Sequence, residues 1–209
     1  MRPQLLIATS NLGKFREIGE IFASVHALPF EIVSLKDLSL PADFEEIGDT
    51  FEANALGKAG YYAGLSGLLT LAEDSGILVD ALVGELGVKT RRWGAGENAS
   101  DQEWVEYFLQ KMNGVPSDKR TARFVCCAAV VDGAQTLAQT FRGETEGFIT
   151  EKLQAPIYGG LPLSSCFQPA GLDKVYSALG LNQKNSISHR GKAIRAAYEW
   201  ILSHTTAIS

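Results

Sequence analysis

Four short polar segments carry the side chains that could do chemistry, and the first reads Thr-Ser-Asn-Leu-Gly-Lys at residues 9–14. It follows an apolar run and precedes a helical pattern, so it lies at a predicted strand-to-helix junction. A helix begins with free backbone N–H groups and a positive dipole end, and hydroxyl, amide and lysine side chains suit phosphate oxygens. The longer glycine-rich loop of the nucleotide P-loop is missing. The segment therefore indicates either a phosphate site or an ordinary helix cap beside a surface lysine.

Two acidic segments could hold a metal ion. Glu-Asp-Ser-Gly at residues 73–76 comes directly after a predicted buried strand, and Glu-Glu-Ile-Gly at residues 45–48 lies in a polar loop. Adjacent carboxylates are costly to bury unless they are paired or metal-bound, and hard oxygen ligands suit Mg²⁺. Asn54 and Lys58 follow one turn apart on one face of a predicted helix. The residues alone leave a metal site and a solvated acidic surface both open.

The fourth segment, residues 184–191, reads Lys-Asn-Ser-Ile-Ser-His-Arg-Gly. It places two cations and a histidine around the predicted start of the last helix. Cations oppose the helix dipole at that end, so the pattern favours a bound anion nearby. The simpler interpretation is a structural histidine before a helix.

These segments must be positioned by an alternation of strands and helices. We predict strands at residues 5–8, 30–35, 68–72, 124–131 and 136–141, the last two forming a hairpin around Gly133. We predict helices with an apolar face of Phe15, Ile18, Phe22 and Val25, at residues 51–65, after a Ser100–Glu103 capping box, and after Ser188. Loops are expected at residues 36–49, 84–99 and 156–171. This order predicts an α/β fold with a mixed sheet.

Composition sets the broad class. The chain has 209 residues, of which 45% are hydrophobic and 21% charged, with a net charge of −5. These values are typical of one globular domain, residues 1–209, and argue against a general binder of nucleic acid or anionic membranes. The first ten residues lack the apolar run of a signal peptide, and no run is long enough to span a bilayer. The cysteines, Cys126, Cys127 and Cys166, fit neither a zinc site nor a disulfide framework, so we expect a cytoplasmic protein.

Taken together and in this order, the four segments resemble the inosine triphosphate pyrophosphatase family, which removes deaminated purine nucleotides. The resemblance runs from about Ile7 to Ala193. It implies an elongated mixed α/β fold of two lobes with the active site in the cleft, and usually a homodimer. It also implies hydrolysis of a nucleoside triphosphate, such as ITP, dITP or XTP, to the monophosphate and pyrophosphate by a Mg²⁺-activated water.

The resemblance assigns roles to the matching residues. Asp74 would activate the water, and Glu45 and Asp74 would ligate Mg²⁺, with Glu73 beside them. Lys184, His189 and Arg190 would contact the nucleotide on the base side. The triphosphate would be held by Thr9, Ser10, Asn11, Gly13, Lys14, Lys58 and Ser75.

One segment departs from the family pattern. Members commonly carry Gly-Phe-Gly-aromatic-Asp-Pro where this chain has Gly-Leu-Pro-Leu-Ser-Ser at residues 160–165. Without the aromatic and the acid, at Leu161 and Ser164, we expect weaker discrimination among 6-oxo purines. Two alternatives stay open: a nucleotide-binding regulatory module with weak turnover, and a pyrophosphatase for another modified nucleotide. Arg91, an extra arginine compared with the family, either binds an anion or is solvated.

Overall fold

The computed structural model describes residues 2–24, 28–96 and 98–208 of the chain. The strands of the described part are Gln4–Ile7 (β1), Glu31–Ser34 (β2), Leu69–Val79 (β3), Thr121–Val131 (β4), Ala138–Ile149 (β5) and Phe167–Pro169 (β6). Its α-helices are Leu12–Ala23 (α1), Phe51–Ser66 (α2), Asp101–Lys111 (α3), Leu181–Ile187 (α4) and His189–Ile208 (α5). Short 3₁₀ helices lie at Asp80–Leu82, Gly87–Arg92, Ser117–Lys119, Pro162–Ser165 and Tyr176–Ala178.

The strands form one six-stranded sheet in the order β2-β1-β3-β4-β5-β6. Strand β1 is parallel to β2 and β3, whereas β3, β4, β5 and β6 pair antiparallel in succession. The predicted mixed α/β class is therefore confirmed, and β4 with β5 forms the predicted hairpin. None of the helices in the described ranges is long and apolar enough to cross a membrane.

Side chains alternate between the two faces of the sheet and build separate cores. In β1, Leu5 and Ile7 join a first core cluster with α1 and α5, while Leu6 joins a second cluster with α2, as does Ala8 just after the strand. A third cluster, around Trp104 of α3, packs beyond the end of the parallel strands. All three cysteines are buried and free, as expected for small core residues.

The predicted helix starts are confirmed because each depends on local chemistry. Asn11 and Thr50 accept hydrogen bonds from the first-turn N–H groups of α1 and α2. Ser100 forms the complete capping box with Glu103 at α3. The Ser188 hydroxyl accepts a hydrogen bond of 2.9 Å from the Gly191 N–H as α5 begins. Val25, which the helical pattern included, lies outside the described residues.

Three predictions of local structure were wrong. The strand predicted at residues 68–72 does not end before residues 73–76, because β3 runs through them and pairs with β4 from Thr70 to Val79. Residues 156–171 are not all loop, since they contain the 3₁₀ helix Pro162–Ser165 and strand β6. Residues 84–99 are likewise not all loop, since they contain the 3₁₀ helix Gly87–Arg92. In each case the sheet or a neighbouring element overrides the local pattern.

Candidate active site

A cavity of about 700 Å³ opens between the second and third core clusters. Eleven of the twelve residues that the sequence singled out line it, namely Thr9, Ser10, Asn11, Lys14, Glu45, Lys58, Asp74, Ser75, Lys184, His189 and Arg190. Gly13 does not line the cavity. A Cβ atom there would lie 2.6 Å from the Gly159 carbonyl oxygen, so Gly13 permits close packing of α1 on that segment.

The turn at residues 9–14 is held in shape by Asn11. The Asn11 Oδ1 atom accepts a hydrogen bond of 3.1 Å from the Lys14 N–H, and its Nδ2 atom donates to the Gly160 carbonyl at 3.2 Å. The Thr9 hydroxyl accepts from the Asn11 N–H at 3.2 Å. The Asn11 side chain therefore caps α1 and also holds the turn against Gly160, just before the 3₁₀ helix Pro162–Ser165.

Beneath this turn lies a buried network of three cations and two carboxylates. Lys14 Nζ lies 2.9 Å and Arg190 Nε 3.5 Å from Glu73 Oε1. Glu17 pairs with both Lys184 and Arg190. The anion that the sequence predicted near the two cations is thus supplied in part by the protein itself. Three positive charges against two negative ones leave an excess that suits an anionic ligand.

The neighbouring cations of the network determine the ionisation state of its two carboxyl groups. Burial alone would raise the pKa of Glu73, but Lys14 and Arg190 outweigh it and hold this pKa well below its ordinary range. Burial would also raise the pKa of Glu17, but the charges of Arg190 and Lys184 outweigh burial and lower this pKa. Both carboxylates are therefore ionised near neutral pH.

His189, the next residue in this wall, is neutral near neutral pH. Burial and then the charge of Arg190 lower its pKa well below the ordinary histidine value. Its ring stacks on Phe124 with centroids 4.6 Å apart and planes 11° from parallel. A neutral imidazole can donate one hydrogen bond and accept another, so it can contact a nucleobase without adding charge.

Asp74 faces the opposite side of β3 from Glu73 and has different surroundings. Its Oδ2 atom accepts a hydrogen bond of 2.9 Å from Asn54 Nδ2, while Asn54 Oδ1 accepts from the Gly48 N–H at 2.7 Å. Burial raises the pKa of Asp74 to about 6, with Lys14 opposing and Glu46 reinforcing the shift. A buried carboxylate that titrates close to neutral pH is suited to accepting a proton or ligating a cation.

The acidic loop closes the cavity beside Asp74. Lys58 Nζ pairs with Glu46 and also donates to the Glu73 carbonyl at 3.1 Å. Arg92 Nη1 donates to the Glu46 carbonyl at 2.9 Å, which ties the loop to the 3₁₀ helix Gly87–Arg92. Lys58 thus contacts both the loop and β3, next to Asp74.

The acidic side chains fit a magnesium site of the kind that uses few protein ligands. Asp74 and the exposed Glu45 line the cavity together, and Glu46 is close enough to raise the pKa of Asp74. No cluster of three or more His, Cys, Asp or Glu side chains with metal-binding geometry occurs in the described ranges. Mg²⁺ usually takes one or two carboxylates and completes its shell with water and substrate phosphates, so this donor set suits it.

The cavity wall contains residues that the motifs did not identify. Glu17 was missed, although a carboxylate on the buried face of α1 next to Ile18 and Ile21 is itself an unusual signal. Trp104, a buried residue of α3 that belongs to none of the four segments, also lines the cavity. The Ser75 hydroxyl accepts a hydrogen bond of 2.9 Å from Arg190 Nη2, so in this structure it orients the arginine.

Arg91 also lines the cavity but is engaged by the protein. Its Nη2 atom donates to the Ala99 carbonyl at 2.8 Å and lies 3.8 Å from Asp101 Oδ1. The other Asp101 oxygen accepts from the Gly160 N–H at 2.6 Å. Since its side chain is 53% exposed, Arg91 is a partly solvated bridge to α3.

The chain is similar to known proteins along nearly its whole length. The model of the Ham1 family matches residues 5–200. A dITP/XTP pyrophosphatase of Bacillus cereus is 38% identical over 95% of this chain and 94% of its own. One of Symbiobacterium thermophilum is 43% identical over 94% and 93%. Among solved structures, the Ham1 protein of Staphylococcus aureus is 31% identical, with a TM-score of 0.79 over 96% of this chain and 99% of that one.

Proposed function

The chain belongs to the Ham1 family, and we propose that it hydrolyses deaminated purine nucleoside triphosphates, such as ITP, dITP or XTP, to the monophosphate and pyrophosphate. The observation that carries the proposal is the position of Asp74. Its carboxylate, with a pKa raised to about 6, lines the same cavity as Lys14, Lys58 and the buried cationic network. Curated relatives that are named dITP/XTP pyrophosphatases support the same reaction.

The cavity can supply the chemistry of phosphoanhydride hydrolysis without a covalent intermediate. The turn at residues 9–14, Lys14, Lys58 and the excess charge of the network would hold the triphosphate and stabilise charge in the transition state. Asp74 would accept the proton of the attacking water at its carboxylate, and attack at the α-phosphorus would release pyrophosphate. Asp74 and Glu45 would hold Mg²⁺, which supplies charge neutralisation and a more acidic water.

The base-side residues favour a purine with a 6-oxo group. Arg190 is buried and carries only hydrogen-bond donors, so it suits the 6-oxo acceptor of hypoxanthine, xanthine or guanine. Adenine presents a 6-amino donor instead, and two donors facing each other in a buried site cost about 1–3 kcal/mol. Lys184 and the neutral His189 would contact the nucleotide from the same wall. Discrimination against ATP of roughly tenfold to a hundredfold follows.

We infer a cytoplasmic homodimer that acts on free nucleotides and binds neither nucleic acid nor membranes. The family resemblance and the acidic net charge of −5 support this inference. Light scattering coupled to gel filtration tests the dimer directly, and a monomer at micromolar concentration would refute it.

The competing function is a nucleotide-binding module with weak turnover. The substitutions at Leu161 and Ser164 favour it, whereas the placement of Asp74 beside Lys14 and Lys58 favours an enzyme. Pyrophosphate release from ITP, XTP, GTP, ATP and modified pyrimidine triphosphates, measured with Mg²⁺, distinguishes these possibilities. Multiple turnovers per second on ITP or XTP would support the enzyme. Tight binding without turnover would support the module, and preference for a modified pyrimidine would assign a different substrate.

A further inference from the structure

The backbone of Gly160 is held from two sides at a point where two parts of the cavity wall meet. Its carbonyl accepts a hydrogen bond of 3.2 Å from Asn11 Nδ2, in the turn at residues 9–14. Its N–H donates to Asp101 Oδ2, in the first turn of α3, at 2.6 Å. Asn11 and Gly160 line the cavity, whereas Asp101 does not. Asp101 therefore supports the wall from outside the cavity.

The contact between Gly160 and the turn at residues 9–14 is close. Gly160 has a φ of +79°, in the left-handed region that favours glycine. A Cβ atom at Gly160 would lie 2.7 Å from Asn11 Oδ1, and one at Gly13 would lie 2.6 Å from the Gly159 carbonyl oxygen. No side chain separates the two segments, so a shift of Gly160 also moves the residues that follow it in the wall.

The residues that follow Gly160 belong to the apolar part of the cavity wall. Leu161 and Leu163 line the cavity. The 3₁₀ helix Pro162–Ser165 packs on α3 and on the 3₁₀ helix Tyr176–Ala178. Tyr176 in turn stacks on His189, with ring centroids 6.1 Å apart and planes 20° from parallel. The proposed function assigns His189 to the nucleobase, so the segment after Gly160 lies on the side of the cavity that would receive the base.

Helix α3 holds this segment by two different interactions. Leu163 packs with α3 in the third core cluster, and Asp101 binds the Gly160 N–H. Apolar packing is not directional, whereas a hydrogen bond to a carboxylate is short, directional and stronger than a neutral one. The Asp101 contact is therefore the interaction that fixes where the backbone of the segment lies relative to the turn at residues 9–14.

We propose that Asp101 is a positioning residue, which holds the base-side segment after Gly160 at a set distance from the turn that receives the triphosphate. The inference rests on the proposed function and adds to that site a residue that lies outside the cavity and outside the four sequence segments. Asp74, Lys14 and Lys58 keep their places without it. Loss of the Asp101 contact therefore weakens nucleotide binding and leaves the hydrolysis of bound nucleotide largely unchanged.

The test separates the hydrogen-bond acceptor of Asp101 from its charge. Asp101→Ala removes the acceptor, and in Asp101→Ser the hydroxyl is too short to reach the Gly160 N–H. Asp101→Asn removes the same charge but keeps an acceptor oxygen at the same place. The contact with Arg91, at 3.8 Å and with the arginine 53% exposed, contributes little in the parent. Glu106→Ala, which removes an exposed carboxylate of α3 outside the cavity, is the matched control.

The variants are compared by the KM and kcat of pyrophosphate release from ITP with Mg²⁺. KM rises by about fivefold to thirtyfold in Asp101→Ala and Asp101→Ser, while kcat stays within about twofold of the parent. Asp101→Asn recovers most of the loss, and Glu106→Ala matches the parent. Inorganic tripolyphosphate, which carries phosphates without a base, competes with ITP equally well in all variants. A purely structural defect would instead lower kcat through the folded fraction and leave KM unchanged.

Several outcomes would overturn the inference. A parent-like KM in Asp101→Ala and Asp101→Ser, or a fall in kcat alone, would remove the positioning role. Equal losses in Asp101→Asn and Asp101→Ala would assign the effect to charge. Weaker competition by tripolyphosphate would place the effect at the phosphate turn, and failure of both truncated variants to fold would assign Asp101 to the stability of α3. A parent that releases no pyrophosphate from ITP or XTP would instead refute the proposed function.

Discussion

At the scale of single residues, the surroundings of two adjacent carboxylates of β3 shift their pKa values in opposite directions. Glu73 faces Lys14 and Arg190, and these charges hold its pKa well below the ordinary range. Asp74 faces Asn54 and the acidic loop, and burial raises its pKa to about 6. Environments that separate two neighbouring carboxyl pKa values often mark a division of labour. Glu73 holds the cations in place, and Asp74 is the group that can exchange a proton.

The first prediction is that Asp74→Asn abolishes most of the activity. Asparagine keeps the shape and can still accept the hydrogen bond from Asn54, but it loses the charge that holds a cation and accepts a proton. We expect turnover of ITP and XTP to fall by at least about a hundredfold. Glu85→Gln, an exposed carboxylate outside the cavity, is the control and keeps parent activity. Near-parent turnover in a folded Asp74→Asn protein would remove Asp74 from the mechanism.

The second prediction concerns pH and stability. The pKa of Asp74 rises from 3.8 to about 6 on folding, so between these values the folded protein binds more protons than the unfolded chain. The contribution of Asp74 to stability therefore declines as pH rises through this window. Without divalent cations, Asp74→Asn should be more stable than the parent at pH 7 by about 1–3 kcal/mol, with the difference vanishing near pH 4. Urea denaturation at both pH values measures this.

The activity of the parent should depend on pH in the opposite direction, because it requires the ionised form of Asp74. Only the ionised carboxylate can accept a proton, so kcat/KM of the parent should fall as pH drops below about 6. A pH profile that stays flat down to pH 4.5 would contradict the raised pKa. A variant that is more stable yet inactive would also exclude unfolding as the cause of lost activity.

At the scale of elements, the site depends on how closely β5 packs on the start of α5. A Cβ atom at Gly143 of β5 would lie 2.1 Å from the His189 carbonyl oxygen and 2.8 Å from the Ala193 nitrogen. Both neighbours are backbone atoms of the helix that carries His189 and Arg190. The first turn of α5 is thereby held against the sheet, which places both side chains at the cavity.

The third prediction follows from this contact. Gly143→Ala should lower the free energy of unfolding by about 1–3 kcal/mol, because the strand and helix must separate, and should also reduce kcat/KM. Gly19→Ala in α1 is the matched control, since a Cβ atom there meets nothing within 4 Å. That variant should be about 0.5–1 kcal/mol more stable with unchanged activity. Equal stabilities of the two variants in urea would contradict the tight contact.

The elements that could be predicted from sequence are those determined by neighbouring residues. Asn11, Thr50 and Ser100 cap their helices by accepting hydrogen bonds from nearby N–H groups. The starts of these helices can therefore be predicted from a few neighbouring residues. The extension of β3 through Glu73 and Asp74 could not be predicted from the local sequence. It depends on pairing with β4, which lies more than fifty residues away along the chain. For the same reason the sequence brought the cations of the last segment together but could not show that Glu17 of α1 pairs with them.

At the scale of the whole molecule, an acidic chain gathers cations from distant segments around one cavity, next to the carboxylates of Asp74 and the acidic loop. The net charge is −5, yet the cavity wall includes Lys14, Lys58, Lys184 and Arg190. The segments that supply these residues are far apart in sequence. They meet because α1, α2 and α5 pack on the same sheet and α4, which carries Lys184, packs on α1 and α5. The motif order in the sequence therefore predicted which residues share the cavity. The motif order did not predict the contacts between these side chains, such as those of Arg190 with Ser75 and Glu73. Such contacts depend on how separate elements pack.

The measurement that tests the central proposal most directly is the identity of the products formed from ITP and ATP. Phosphorus NMR of the reaction with Mg²⁺ distinguishes IMP and pyrophosphate from IDP and orthophosphate. The structure leads us to expect IMP and pyrophosphate, with kcat/KM for ITP at least about tenfold above that for ATP because Arg190 offers only donors to the 6-position. Formation of IDP and orthophosphate, or equal use of ATP and ITP, would contradict the proposed reaction and the proposed base recognition respectively.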